Sequence, residues 1–196
     1  DDIAEIKNLT VKSEGLDLSL EGDVGLGDSV AVQAIFKANN LDFNILKKYI
    51  PEVFDEIYGN VPLFTTEALS ADINVIYHND LVDFNSLKIK SEGIDIDFDG
   101  KILLKDTIEI NSKLNSLALD FNTLKKYVPS KYLKEYGVKQ IGGKTNISAD
   151  INGKYADSSM LPIVNATINL NDINMQSADY PEVKSISGKI DFTNGN

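Results

Sequence analysis

The sequence predicts a mainly β protein with short helical inserts, arranged as antiparallel β-meander repeats in one elongated, twisted sheet or groove. Three observations carry that expectation. Apolar and polar residues alternate with period two over most of the chain, as in strands with one apolar and one wet face. The chain also contains itself twice. Shifted by 78 residues, Asp2–Tyr77 lies on Asp80–Tyr155 without a gap, identical at 27 of 76 positions. Finally, one segment in each copy breaks the alternation with helical spacing. A gapless duplication of this length implies one supersecondary unit used in tandem. The expected units are residues 1–79, residues 80–157, and a degenerate or truncated third copy over 158–196, hinted at by Ser187-Gly188-Lys189-Ile190 echoing Asp99-Gly100-Lys101-Ile102.

About four strands are expected in each unit. Leu16, Leu18 and Leu20 alternate with Asp17, Ser19 and Glu21, and Val30 and Val32 open the next row. A further row holds Leu69, Ala71, Ile73, Val75 and Tyr77. The second copy repeats the pattern with Ile94, Ile96 and Phe98 against Asp95, Asp97 and Asp99, then Ile108 and Ile110, then Ile147, Ala149, Ile151 and Tyr155. Val164, Ala166, Ile168 and Leu170 continue it, and Ile186, Gly188, Ile190 and Phe192 end it. Turn chemistry is expected at Gly27-Asp28, His78-Asn79-Asp80, Lys105-Asp106 and Gly142-Gly143, with a polar loop over Lys154–Ser159.

The helical insert of the first copy is expected over about residues 42–58. Phe43, Leu46, Tyr49 and Ile50 have helical spacing, Asp42 or Asn44 suits the N-cap, and Pro51 ends one helix or opens the next. Val53, Phe54, Ile57 and Tyr58 suggest a second short helix capped by Gly59. The second insert, over about residues 120–136, repeats this with Phe121, Leu124, Tyr127, Pro129, Tyr132, Leu133, Tyr136 and Gly137.

Composition narrows the function classes. A length of 196 residues with 42% hydrophobic content suffices for one sizeable core, or two repeats sharing one. A formal net charge of −11 argues against nucleic acid and against broad adhesion to anionic headgroups. With no cysteine, neither a disulfide framework nor a thiolate metal site is available. No apolar stretch approaches membrane-span length and no signal peptide is evident. The strand-like alternation begins by the third residue and a further strand finishes at the end. Both ends therefore read as cuts in a longer repeating protein, with any targeting sequence or anchor expected outside.

Candidate chemical sites are weak. Asp95, Asp97, Asp99, Gly100 and Asp106 match the acidic and glycine positions of a calcium loop. Yet Ile96 and Phe98 intervene, and the sister positions Asp17, Ser19, Glu21, Gly22 and Asp28 follow the wet face of a strand. The solvated-strand reading is the better one. His78 is the only histidine, in a turn, which leaves zinc hydrolysis and histidine-based triads without support. Gly142-Gly143-Lys144-Thr145 lacks the upstream glycine and following helix of a phosphate loop and reads as a turn before a strand. No catalytic residue, metal or cofactor is expected.

Two features remain. The lysine pairs Lys47-Lys48 and Lys125-Lys126 recur in both copies, either as soluble helix faces or as contacts to lipid headgroups or an anionic partner. The apolar rows either close into an ordinary core or line a continuous groove for acyl chains. In the second case Leu16, Leu18, Leu20, Val30, Val32, Ile73, Val75, Ile94, Ile96, Phe98, Ile108, Ile110 and Ile151 are the candidate lining. The choice depends on whether the helical inserts cap the sheet.

The unit of alternating strands plus the insert Leu41-Asp42-Phe43-Asn44-x-Leu46-Lys47-Lys48-Tyr49-x-Pro51, repeated at Leu119–Pro129, resembles the C-terminal repeat region of AsmA-family proteins, relatives of TamB in Gram-negative bacteria. The resemblance covers most of the chain and rests on residue classes. It implies a periplasmic β-structure anchored in the inner membrane by a segment outside this one, engaged in outer-membrane biogenesis and phospholipid transport. It also implies phospholipid or another acyl-chain ligand, and other envelope proteins, as partners. No family residue transfers as an active site. A non-enzymatic structural or adhesive β-repeat module is the competing reading, and a carbohydrate-active or calcium-dependent β-domain a third.

Overall fold

A computed structural model describes residues 3–27, 30–42, 45, 48, 68–124, 134, 137–156, 160–178 and 180–194. Ten strands follow in chain order: β1 (Ile3–Ser13), β2 (Leu16–Leu26), β3 (Val30–Asp42), β4 (Ala68–His78), β5 (Leu81–Ser91), β6 (Ile94–Leu103), β7 (Ile108–Asp120), β8 (Val138–Tyr155), β9 (Ile163–Ser177) and β10 (Val183–Thr193). They form a single open antiparallel sheet in sequence order, each strand pairing with its neighbours in the chain. The expected antiparallel meander, with four strands to each of the two copies, is what the chain forms. A short helix, α1 (Phe121–Leu124), follows β7.

The alternation becomes a two-sided sheet because directly opposed residues share a face. One row runs unbroken through Leu9, Leu20, Phe36, Ile73, Leu87, Phe98, Leu114, Ala149, Ala166 and Phe192, one residue from every strand. Beside it run Val11, Leu18, Ala38, Ala71, Ile89, Ile96, Leu117, Ile147, Ile168 and Ile190. Neither row contains a charge. The tightest packing centres on Ala38, Leu69 and Ala71, with Leu18, Phe36, Leu41, Ile73 and Ile89 around them.

The opposite face is held in register by charge. Lys12–Asp17, Asp83–Lys101, Lys88–Asp97, Lys90–Asp95, Glu109–Lys154 and Asp120–Lys144 are ion pairs between directly opposed residues. A slip by one residue would break these pairs and turn the apolar rows to water at once.

Bulges interrupt the ladders. The extra residues Asn39, Asn85 and Asn115 lie at register shifts in β3, β5 and β7. Each donates its side-chain amide to the wet face of a neighbouring strand: Asn39 to Asp17 at 3.3 Å, Asn85 to Asn74 at 3.1 Å, and Asn115 to Asp97 at 3.4 Å as well as to Asp99. Asparagine suits a bulge because it satisfies locally what the ladder leaves open.

Both copies build the approach to the insert alike. The tight turns after β1 and β5 place Gly15 at φ +76° and Gly93 at φ +80°, a region glycine enters without steric cost. Asp42 N–H then donates to the Gly15 carbonyl, and Asp120 N–H to the Gly93 carbonyl, each at 2.9 Å. The Asp42 carboxylate accepts from Ile45 N–H at 3.4 Å, and that of Asp120 from Asn122 N–H at 3.0 Å. Asp42, one of the two N-cap candidates, is thus bonded to the following turn, while Asn44 lies outside the described residues. Ile45 and Lys48 are helical. The rest of the first insert, including Phe43 and Leu46, and the second insert from residue 125 to 133 lie outside the described residues. So do both predicted second helices, apart from Lys134 and Gly137; Gly137 has φ +59° and its N–H donates to the Lys134 carbonyl at 3.1 Å.

Two expectations need correction. Gly142-Gly143 is not a turn: both glycines are buried within the 18-residue β8. There the register shifts between Gly142 and Lys144, Gly143 adopts φ +99°, and a Cβ on it would strike the carbonyl of Asp172 in β9. The glycines permit a bulge and close strand approach, not a chain reversal. Nor does the loop begin at Lys154, because β8 continues through Tyr155 and Lys154 pairs with Glu109 at 2.7 Å.

Candidate functional site: the apolar sheet face

Each candidate lining residue falls on the face that carries the two apolar rows. Leu16, Leu18, Leu20, Val30 and Val32 come from β2 and β3, Ile73 and Val75 from β4, Ile94, Ile96 and Phe98 from β6. Ile108 and Ile110 from β7 and Ile151 from β8 complete the set. Ten strands at about 4.8 Å spacing carry this surface over about 43 Å perpendicular to the strands.

Among the described residues no large side chain is fully buried. Leu9 is 52% exposed, Ile190 48% and Phe192 50%, so the rows reach water at both ends. Near the middle Phe84 and Phe98 meet edge to face, with centroids 5.8 Å apart. Phe84 stands opposite Gly100, whose missing side chain admits the close approach of β7 at Ser112. Two polar side chains, Ser112 and Thr145, are buried on this face, and Thr145 donates to the Asn169 carbonyl at 3.0 Å.

Sequence reasoning missed Phe84, Leu87, Leu114 and Leu117 as members of the same face. The bulges at Asn85 and Asn115 insert a residue, so 84 and 87, and likewise 114 and 117, point the same way though three apart. The lone asparagine within each apolar run was the available signal.

No protein-family model, curated protein or solved structure matches this chain.

The wet face holds shallow depressions among the described residues. One of about 390 Å³ is lined mainly by Lys113, Ser148, Asp150, Asn165, Thr167 and Asp191. Another of about 300 Å³ is lined mainly by Lys37, Ser70, Asp72, Lys88, Lys90 and Asp95. Of the calcium-loop candidates, Asp95, Asp97, Asp99 and Gly100 lie along β6, where Asp95 is engaged with Lys90 at 3.2 Å, Asp97 with Lys88 at 3.6 Å and Asp99 with Asn115; Asp106 lies in the bend between β6 and β7. Among the described residues no group of three or more His, Asp or Glu is placed to hold a metal ion. His78 is exposed before the β4–β5 turn, where Asn79 and Asp80 both have positive φ, and its Nε2 lies 3.4 Å from the Asn79 amide.

Two carboxylates are shifted. Burial raises Asp120, but the hydrogen bonds from Asn122 and the Lys144 ammonium outweigh it and hold the group below its ordinary value. Hydrogen bonds from Lys189 and then Thr167 hold Asp191 low as well. Both are structural partnerships of strand residues or of a cap.

Of the lysine pairs, Lys48 is exposed on helical backbone. Lys47, Lys125 and Lys126 lie outside the described residues. Among the described residues no helix is long and apolar enough to cross a membrane.

Proposed function

We propose that this chain binds the acyl chains of phospholipids along its apolar sheet face, as a non-enzymatic segment of an AsmA-like envelope protein. The observation that carries the reading is the pair of uncharged rows running unbroken across ten strands. A path perpendicular to the strands suits a ligand that slides, because neighbouring positions along it are chemically alike. Each CH₂ laid on the rows gains up to about 0.8 kcal/mol, spread over many weak contacts, so no single position traps the chain. Charges confined to the opposite face keep the sheet soluble without interrupting the path. Lys47, Lys48, Lys125 and Lys126 are the proposed headgroup or partner contacts.

The periplasmic setting, the inner-membrane anchor and the role in outer-membrane biogenesis follow from the repeat-and-insert resemblance alone. A structural or adhesive module is the second reading, supported by the edge strand β1, which is exposed along its whole length.

A displacement assay with a fluorescent fatty acid separates the two. Phe98→Asp on the apolar face is expected to lower binding at least tenfold, whereas Lys88→Ala on the wet face leaves it unchanged. Equal binding by both variants, with folding intact by circular dichroism, removes the acyl-chain reading.

A further inference from the structure

We infer that, without acyl ligand, two copies of this chain stack through their apolar faces, and that a bound acyl chain and the second copy exclude one another. A sheet that is apolar on one side needs a second layer. Among the described residues no further strand supplies one, and exposure below a tenth among the large side chains of this face is confined to Leu16 and Leu69, beside the first insert. The face is large enough to form one. About 43 Å across the strands and about 36 Å along an 11-residue strand give about 1,500 Å², against about 800 Å² per partner in a standard stable interface. A little over half the face meets that requirement.

Its chemistry suits a self-complementary contact. The opposed residues of the central rows are uncharged on every strand, as in the core of a homodimer interface. Two copies related by a two-fold axis present the same rows to each other, at the spacing of about 10 Å found between packed sheets. Charge repulsion between copies is weakened because the carboxylates and lysines of the paired ladders lie on the outer faces.

The competition, though not the stacking, rests on the acyl-chain reading. Both occupants cover the same rows, so each lowers the apparent affinity of the other by mass action.

The chain has no cysteine, so single introduced cysteines report position cleanly. Delipidated protein in detergent-free buffer is expected at twice the 21.5 kDa chain mass by light scattering. Spin labels on Leu87→Cys, on the apolar face, are expected near the sheet spacing of about 10 Å. Labels on Lys88→Cys, one residue along on the wet face, should lie much farther apart. If Leu87→Cys does not fold, Ile89→Cys reports the same face. A monomer at all concentrations overturns the inference, and so do equal label distances at the two positions, which mean edge-to-edge pairing. Added oleate is expected to convert dimer to monomer. Oleate bound to an undissociated dimer overturns the exclusion, whereas a dimer that takes up no oleate retains the stacking and sinks the acyl-chain reading.

Discussion

Lys88 and Asp97 stand opposite each other on β5 and β6, their charged groups 3.6 Å apart, while Leu87 and Phe98, one residue away on each strand, stand opposite each other on the other face. That relationship is the fold in miniature. One hairpin register satisfies a charge pair and an apolar pair together, and the β1–β2 and β7–β8 pairings do the same. It also sets the first prediction. The neighbouring pair Asp83–Lys101 is closer, at 2.6 Å, with the lysine well exposed. A double-mutant cycle with Asp83→Ala and Lys101→Ala should give a coupling of about 0.5 kcal/mol that shrinks as salt is raised. A coupling above about 2 kcal/mol, or one insensitive to salt, contradicts the screened-ladder account.

Glycines give a sharper contrast. Gly100 has φ +145° and a Cβ there would run into Ser112, while a Cβ at Gly188 meets nothing within 4 Å. Gly100→Ala should therefore cost about 2–4 kcal/mol in urea unfolding, and Gly188→Ala no more than about 0.5 kcal/mol. Similar costs at both sites would mean that strand propensity, not close approach, selects glycine.

The bulge asparagines hold their ladders through side-chain amides. Asn85→Ala removes the 3.1 Å bond to Asn74 and should cost about 1 kcal/mol in thermal or urea unfolding. An unchanged stability would show that the bulge at Asn85 is set by its neighbours alone.

Asp120 supplies a pH signature. Its folded carboxyl titrates below the ordinary value: burial raises it, but Asn122 and Lys144 lower it further. A depressed pKa contributes stability that is present above the unfolded value of about 3.9 and is lost as pH falls through the folded value. The melting-temperature gap between the wild-type protein and Asp120→Asn should thus be widest above pH 5 and close on acidification below about pH 4. A gap that widens on acidification reverses the sign and rejects the assignment.

Much of this architecture was legible in the residues, for a physical reason. Period-two rows such as Leu16, Leu18 and Leu20 report a two-sided strand directly, and the gapless repeat fixed how many strands to expect. The blocks most alike between copies were harder to interpret. Lys12–Gly15 and Leu41–Asp42, with their counterparts Lys90–Gly93 and Leu119–Asp120, are alike because a left-handed glycine turn and a capping aspartate meet at each insert. They preserve backbone geometry. The misread positions share a cause. Gly142-Gly143 carries turn chemistry, but pairing with β9 on both sides of it absorbs it as a bulge. Leu87 and Leu114 were hidden because an inserted asparagine resets the alternation. The face of a residue is legible only while its strand's register is regular.

Native mass spectrometry of gently purified protein asks directly whether the apolar face holds acyl chains. Adducts with phospholipid masses are expected that disappear in Phe98→Asp and persist in Lys88→Ala. Repeated preparations without bound lipid, or adducts equally abundant in both variants, would contradict acyl-chain binding there.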